Sequence, residues 1–81
     1  MPDVRVIDAT GLLCPLPVLR AQKALRDMAA GELVDVLATD TASASEFPAF
    51  CRQTGNELVE TEERAGRFRF RLRKGDQVSR G

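Results

Sequence analysis

The first half of the chain alternates between strand-like and helical patterns of hydrophobic positions. Val4–Ala9 and Glu32–Thr39 are short, β-branched and apolar, which predicts two strands, the second mostly buried. Between them the apolar positions follow the helical period, and Gly31 is placed to end this helix as a C-cap. These apolar positions are Val18, Ala21, Leu25 and Met28.

A second helix is predicted to begin near residue 43. Ser43 and Glu46 have the Ser-x-x-Glu spacing of a capping box, and Gly55-Asn56 is expected to end the helix. Pro48 is expected to kink the first turn or to delay the start of the helix. The apolar side of this helix carries Ala44, Phe47, Phe50, Cys51 and Thr54.

The last third of the sequence predicts a β-hairpin. Leu58–Arg64 and Arg67–Arg73 flank a two-residue turn. This register sorts charged residues to one face, and a slip by one residue would destroy the sorting. The expected pairs are Arg64 with Arg67, Glu62 with Arg69 and Glu60 with Arg71, while the other face gathers Val59, Thr61, Phe68, Phe70 and Leu72.

The order of the elements predicts an α+β fold, a two-layer α/β sandwich of the form βαβαββ. The crossover helices allow parallel pairing in the first half, so the four-stranded sheet is mixed. One face of the last strand consists of arginines, which cannot enter a core, so both helices are expected on the other face. We expect one domain at residues 1–74 and a polar, disordered tail at 75–81.

Composition restricts the chemistry. The 81 residues contain no histidine, which excludes Cys-His dyads, Ser-His-Asp triads and His-ligated metals. The two cysteines, Cys14 and Cys51, lack CxxC spacing and are too few for a structural zinc site, so no metal is expected. The 12 basic and 12 acidic residues balance, which does not indicate nucleic acid or membrane binding. Without a signal-peptide pattern or an apolar span, we expect a cytoplasmic, reducing location.

Cys14 lies where the first strand gives way to the first helix. Because Pro15 follows it, Cys14 is disfavoured in helical geometry and fits an N-cap, although the helix could instead start at Pro17. The positive end of the helix dipole lowers the pKa of such a thiol, and the missing N–H groups of the prolines limit the effect. The sequence therefore predicts a modest lowering of this pKa. From position alone, Cys14 also fits a small buried apolar residue.

The remaining candidates have structural interpretations beside functional ones. Cys51 lies on the apolar side of the second helix and is read as core rather than as a second sulfur site. Asp8 and Gly11 are read first as turn residues. The basic stripe on the first helix is either a solvated face or a docking surface for a partner, and the arginines of the last strand are read as a solvated, ion-paired face. The stripe comprises Arg20, Lys23 and Arg26.

The motif Asp8-x-x-Gly11-x-x-Cys14-Pro15-x-Pro17, followed by a helix with Lys23, resembles the TusA/SirA family of sulfur carrier proteins. The resemblance covers residues 4 to 74 and includes the Gly66-x-Phe68-x-Phe70 hairpin. It implies the family's βαβαββ sandwich, which is like the C-terminal domain of translation initiation factor three. That fold agrees with the order of elements obtained from the hydrophobic pattern.

The resemblance also implies a function. Cys14 would accept sulfane sulfur as a persulfide from a cysteine desulfurase or a rhodanese-like protein and pass it to an acceptor protein of a sulfur relay. The relay would serve tRNA thiolation, molybdenum cofactor synthesis or sulfur oxidation. No resident cofactor is implied. Asp8, Gly11, Pro15 and Pro17 would support the motif, and Leu12, Leu16, Arg20 and Lys23 are candidates for partner docking.

We expect a monomeric covalent carrier rather than a self-sufficient enzyme. The sequence indicates no general base near Cys14, so a partner would have to organise the proton transfers. Two alternatives remain at this stage: a regulatory or interaction module without sulfur chemistry, and an RNA-binding module. Both alternatives make Cys14 dispensable, which distinguishes them from the carrier.

Overall fold

The computed structural model describes residues 4–76, which form four strands and two helices in the predicted order. The elements are β1 (Arg5–Ala9), α1 (Leu16–Arg26), β2 (Leu33–Ala38), α2 (Ser43–Thr54), β3 (Glu57–Arg64) and β4 (Arg67–Arg73). None of the helices in this part of the chain is long and apolar enough to cross a membrane.

The sheet is mixed, as predicted, with the strand order β1-β2-β4-β3. β1 and β2 run parallel, whereas β4 lies between β2 and β3 and is antiparallel to both. Helix α1 packs on β1 and β2, and α2 packs on β3 and β4. The predicted two-layer βαβαββ sandwich is therefore confirmed.

The core lies between the helices and one face of the two central strands. Val34 and Val36 of β2 pair with Leu72 and Phe70 of β4, and all four side chains are fully buried. Phe47 of α2 stacks on Phe70 with the ring centroids 4.5 Å apart. Burying each of these side chains stabilises the fold by roughly 1.5–3 kcal/mol.

Helix α1 ends earlier than its hydrophobic pattern predicts. Its C-cap is Asp27, not Gly31, and the following residues continue through short i to i−3 backbone hydrogen bonds. The N–H of Gly31 is bonded to the carbonyl of Lys74 at 2.9 Å, which ties this turn to the segment after β4. Met28 stays buried because the turn folds back onto the core.

Helix α2 does not use the predicted capping box. The helix has Ala42 as its N-cap and makes no side-chain capping hydrogen bond, while the hydroxyl of Ser43 is buried without a partner. Pro48 lies inside the helix and does not delay its start. The predicted end of the helix is confirmed: Gly55 is the C-cap and has a φ of 79°, a left-handed conformation that glycine adopts without a steric cost.

The hairpin has the predicted register, with one correction. Arg64 pairs with Arg67, and Glu62 and Glu60 pair with Arg69 and Arg71, as expected. A bulge between Leu58 and Glu60 adds one residue to β3, so Leu58 rather than Val59 faces the core, opposite Leu72. The sequence-based assignment of Val59 to the core face is therefore wrong, since a bulge reverses the alternation on one side of it.

The sheet face without helices is held by ion pairs. Asp35 of β2 is almost fully buried and accepts hydrogen bonds from Nε and Nη2 of Arg71 at 2.7 and 2.9 Å. Nη1 of Arg69 lies 3.5 Å from Oδ2 of Asp35, and the same guanidinium group also pairs with Glu60 and Glu62. The hydrogen bond from Arg71 is the largest cause that lowers the pKa of the Asp35 carboxyl. The predicted ion-paired character of this face is thus present.

The last residues that the structure describes are anchored to the fold by hydrogen bonds. The N–H of Gly75 donates to Oδ1 of Asn56 at 2.8 Å, and Nζ of Lys74 donates to the carbonyl of Leu25. Gly75 belongs to the tail that was predicted to be disordered, and it makes this hydrogen bond. The rest of that tail from residue 77 to residue 81 lies outside the described residues.

Asp35→Asn should destabilise the protein at pH 7 by about 1–3 kcal/mol, because it removes the nearly buried carboxylate charge that pairs with two half-buried arginines. The lowered pKa means that this stability is present above the unfolded-state pKa of about 3.9 and is lost as the pH falls through the folded-state value. Denaturant unfolding at pH 7 and pH 3 should show the difference from wild type shrinking in acid.

The control for this prediction is Glu62→Gln, which removes an exposed partner of Arg69. It should cost at most about 0.5 kcal/mol, as is usual for surface ion pairs. An Asp35→Asn penalty that is the same at both pH values would show that the loss comes from packing rather than from the carboxylate.

Candidate functional site

Cys14 lies on the loop that joins β1 to α1, and its side chain is exposed. The loop begins with a turn in which Oδ1 of Asp8 accepts hydrogen bonds from the N–H and the hydroxyl of Thr10, at 3.0 and 2.6 Å. Gly11 follows with a φ of 81°, which side chains rarely adopt. Asp8 and Gly11 therefore shape the loop, and neither contacts the thiol through a hydrogen bond present in the structure.

The next loop along the sheet edge holds the Cys14 loop in place. The hydroxyl of Thr39 accepts a hydrogen bond from the N–H of Gly11 at 2.9 Å. Oδ2 of Asp40 accepts one from the N–H of Cys14 at 2.6 Å, and its Oδ1 accepts one from the N–H of Ala42 at 3.3 Å. The Asp40 carboxylate thus bridges the backbone of the Cys14 loop and the start of α2.

The first turns of α2 supply a carboxylate to the thiol itself. Sγ of Cys14 donates a hydrogen bond to Oε2 of Glu46, and Oε1 of Glu46 is buried without a partner. The expectation that no proton acceptor lies near Cys14 is therefore wrong. The same contact explains the absent capping box, because the Glu46 side chain points to the thiol rather than to the helix N-terminus.

The pKa of the Cys14 thiol is raised, so the predicted lowering is also wrong. The hydrogen bond to Glu46 is the largest cause, followed by desolvation and by the negative charges of Glu46 and Asp40. The helix begins at Leu16 with Pro15 as N-cap, so Cys14 is not the N-cap and lies one residue outside the helix. The first N–H of the helix, that of Leu16, is bonded to the carbonyl of Leu13 at 2.9 Å and not to the thiol.

Cys51 has the surroundings that the sequence predicted. It is buried in α2, where desolvation raises the pKa of its thiol to about 11. At neutral pH such a thiol is almost entirely protonated and inaccessible to a partner. Cys14 is thus the accessible thiol of the two.

Three leucines of the Cys14 loop and the first turn of α1 have exposed side chains and are called the leucine collar: Leu13, Leu16 and Leu19. Leu13 is 70% exposed, which is unusual for a side chain of this size. Leu12, a docking candidate from the sequence, instead packs against the core. Arg20 and Lys23 are exposed on α1, beside the collar, as a docking role requires, and Pro17 is buried.

Three of the four arginines of β4 are held in ion pairs on the open sheet face. Arg69, Arg71 and Arg73 each pair with a carboxylate of the sheet. A cleft of about 260 Å³ at the hairpin end is lined by arginines and Phe68, and Cys14 does not line it. Within residues 4–76 no three Cys, Asp or Glu side chains are gathered as a possible metal site.

The sequence reasoning missed Thr39, Asp40 and Glu46. A usable signal existed: β1 and β2 were expected to be parallel, and the carboxyl ends of parallel neighbours meet at one edge of the sheet. Polar residues directly after the second strand therefore had to lie beside the loop that follows the first strand. The capping-box interpretation assigned Glu46 to a different role and hid this signal.

The fold and site define a small α/β sandwich with one accessible thiol at the edge formed by two parallel strands. A family model described as sulfurtransferase TusA matches residues 5–74, so the chain belongs to the TusA family.

Relatives of known name agree with this assignment. The sulfur carrier protein TusA of Allochromatium vinosum is 52% identical over 68 residues, which cover 84% of this chain and 90% of that protein. The sulfur carrier protein TusA of Pseudomonas paraeruginosa is 45% identical over 73 residues, which cover 90% and 92%. The crystal structure of a SirA-like protein from Desulfitobacterium hafniense superposes with a TM-score of 0.79 at 32% identity, covering 90% of this chain and all of that one.

Removing the Glu46 charge should make Cys14 more reactive in the free protein. Glu46→Gln eliminates the largest cause of the raised pKa, so the thiolate fraction at pH 7 should increase. We expect iodoacetamide to alkylate Cys14 several-fold faster in this variant, with the midpoint of the rate profile shifted to lower pH.

The control is Glu63→Gln, which removes the same charge by the same substitution at an exposed position of β3. It should leave the alkylation profile of Cys14 unchanged. Equal profiles for wild type and Glu46→Gln would show that the carboxylate does not govern the thiol.

Proposed function

We propose that this protein is a sulfur carrier that holds sulfane sulfur as a persulfide on Cys14 and passes it to a partner protein. The observation that carries the proposal is that the Cys14 thiol is exposed on a loop whose backbone is held by a hydrogen bond to Asp40, whereas Cys51 is buried. Membership of a family with relatives named sulfur carrier proteins supports the same role. A reducing compartment such as the cytoplasm suits this chemistry, because thiols stay free there.

The transfer is a thiol exchange that conserves the sulfane sulfur. The Cys14 thiolate attacks the outer sulfur of a donor persulfide, R–S–SH, the donor S–S bond breaks, and the donor leaves as R–S⁻. The product is Cys14–S–SH. An acceptor thiolate then attacks its outer sulfur and releases the Cys14 thiolate. A cysteine desulfurase or a rhodanese-like protein fits the donor, and a thiol-bearing protein of a sulfur relay fits the acceptor.

Docking of these partners is assigned to the leucine collar and the adjacent basic side chains of α1. The collar is apolar and consists of the residue before Cys14 and two residues of the first turn of α1, so a partner that covers this end of the protein would also exclude water from the exchange. Arg20 and Lys23 would attract an acidic rim on that partner. A monomer suits this arrangement, because the collar must be free for two partners in turn.

Sulfur loading should depend on Cys14 and not on Cys51. Incubation with a cysteine desulfurase and free cysteine should add one sulfur atom by intact mass, and a reductant should remove it. Cys14→Ser should abolish the added mass. Cys51→Ala should load normally and cost about 1 kcal/mol of stability, since it truncates a buried side chain.

If the Cys14→Ser variant accepts sulfur and the Cys51→Ala variant does not, the sulfur is carried by Cys51 and the assignment to Cys14 is wrong. If wild-type protein accepts sulfur from no donor, an interaction module without sulfur chemistry becomes the better account.

Leu13→Ser should weaken partner docking without changing the thiol. Leu13 is mostly exposed, so its loss should leave stability within about 0.5 kcal/mol of wild type. We expect the KM for loading by a desulfurase to rise several-fold while the rate of Cys14 alkylation stays the same. Val6→Ser is the matched control, because Val6 is 60% exposed on β1 away from the collar. Equal effects of the two substitutions would exclude a docking role for the collar.

A further inference from the structure

The carboxylate of Glu46 has a contact that the carrier role alone does not require. Its Oε2 accepts the hydrogen bond of the Cys14 thiol, while its Oε1 is buried and makes no hydrogen bond. No lysine or arginine within residues 4–76 forms an ion pair with it. The thiol is therefore the only hydrogen-bond donor to this side chain within those residues.

The usual structural uses of a glutamate near a helix start do not apply to Glu46. Helix α2 has no side-chain capping hydrogen bond, so Glu46 does not close a capping box. Its backbone N–H is bonded to the carbonyl of Ala42 at 3.1 Å, which satisfies the main chain without the side chain. Burying a carboxylate oxygen without a hydrogen-bond partner costs free energy, and the side chain gives the helix no capping hydrogen bond in return.

Sulfur exchange at Cys14 is accelerated by a group that moves a proton. The attacking thiol loses a proton, and the donor's leaving thiolate becomes a better leaving group when a proton is supplied to it. The chain has no histidine. The other nearby carboxylate, that of Asp40, is occupied by two backbone N–H groups. Glu46 is the carboxylate in contact with the reacting sulfur.

We propose that Glu46 is a catalytic residue that carries the proton during sulfur exchange at Cys14. This inference rests on the proposed carrier function. As Sγ attacks the outer sulfur of R–S–SH, the thiol proton passes to Oε2 of Glu46, the new S–S bond forms, and the donor S–S bond breaks. Glu46 then protonates the leaving R–S⁻. The net reaction is Cys14–SH plus R–S–SH giving Cys14–S–SH plus R–SH, with no electrons gained or lost overall.

The proposal gives the Glu46 carboxylate opposite effects on reactivity in the free protein and in the presence of a persulfide. While ionised and bonded to the thiol, Glu46 keeps Cys14 protonated, so the free protein reacts slowly with electrophiles that capture only thiolate. When a persulfide is in line with Sγ, the same carboxylate accepts the proton as attack occurs. The thiolate formed in this way is also a stronger nucleophile, because the nucleophilicity of a thiolate rises with the pKa of its thiol.

The deciding experiment compares Glu46→Gln with wild type in two reactions of the full chain. The first is alkylation by iodoacetamide, and the second is single-turnover loading from glutathione persulfide, which requires no protein docking. The variant should alkylate faster yet load at least about tenfold more slowly at pH 6, a threshold set below the roughly 10²–10⁴-fold that general acid-base catalysis typically contributes. Because the variant depends on free thiolate, the ratio of wild-type to variant loading rates should fall as the pH rises.

Two variants control the result. Glu46→Asp keeps the charge on a shorter side chain and should recover part of the loading rate, whereas Glu63→Gln should resemble wild type in both reactions. Circular dichroism on every variant establishes that the fold is retained. A Glu46→Gln protein that loads as fast as wild type, or faster, at pH 6 would overturn the shuttle. Failure of the wild type to load from any donor would overturn the proposed function instead, so the two failures are distinguishable.

Discussion

The parallel pairing of β1 with β2 is the constraint on which the site depends. The two strands end together, with Ala9 opposite Ala38 and both fully buried. Their following loops must therefore leave the sheet at the same edge, which brings Asp40 within hydrogen-bond distance of the Cys14 backbone. Cys14 and Asp40, 26 positions apart in the sequence, are brought together by this pairing. A change that shifted this pairing would disconnect the thiol from its carboxylates, even with every site residue retained.

The ion-paired face of the sheet has a consequence for the same site. Because Asp35, Arg69 and Arg71 occupy that face, both helices must pack on the other one, and each follows a parallel strand. The two helices consequently begin at the same sheet edge. That geometry sets the first turns of α2, which carry Glu46, beside the loop that precedes α1, which carries Cys14. The polar face thus helps to determine where the chemistry lies, although none of its charges touches the thiol.

Sequence patterns predicted the architecture because hydrophobic periodicity and charge sorting are properties of neighbouring residues. The hairpin register, the end of α2 at Gly55 and the one-sided sheet follow from such patterns. The bulge near Val59 could not be predicted, since it changes the alternation without changing the composition. The surroundings of Cys14 were mispredicted for a different reason. The expected helix dipole is a local effect, whereas the contacts with Asp40 and Glu46 come from the loop after β2 and from α2, which are distant in sequence.

An exposed thiol that must meet two partners cannot be protected by burial, as Cys51 is. Oxidation and alkylation select thiols that are both exposed and ionised. Cys14 must keep the first property, so protection has to act on the second. The carboxylates of Glu46 and Asp40 do this by raising the pKa of the Cys14 thiol, which lowers the thiolate fraction without covering the sulfur. A thiolate stabilised by a helix N-terminus would instead be exposed and ionised in every collision with solvent oxidants. The acidic surroundings of Cys14 are therefore consistent with a carrier that reacts with docked partners and resists other encounters.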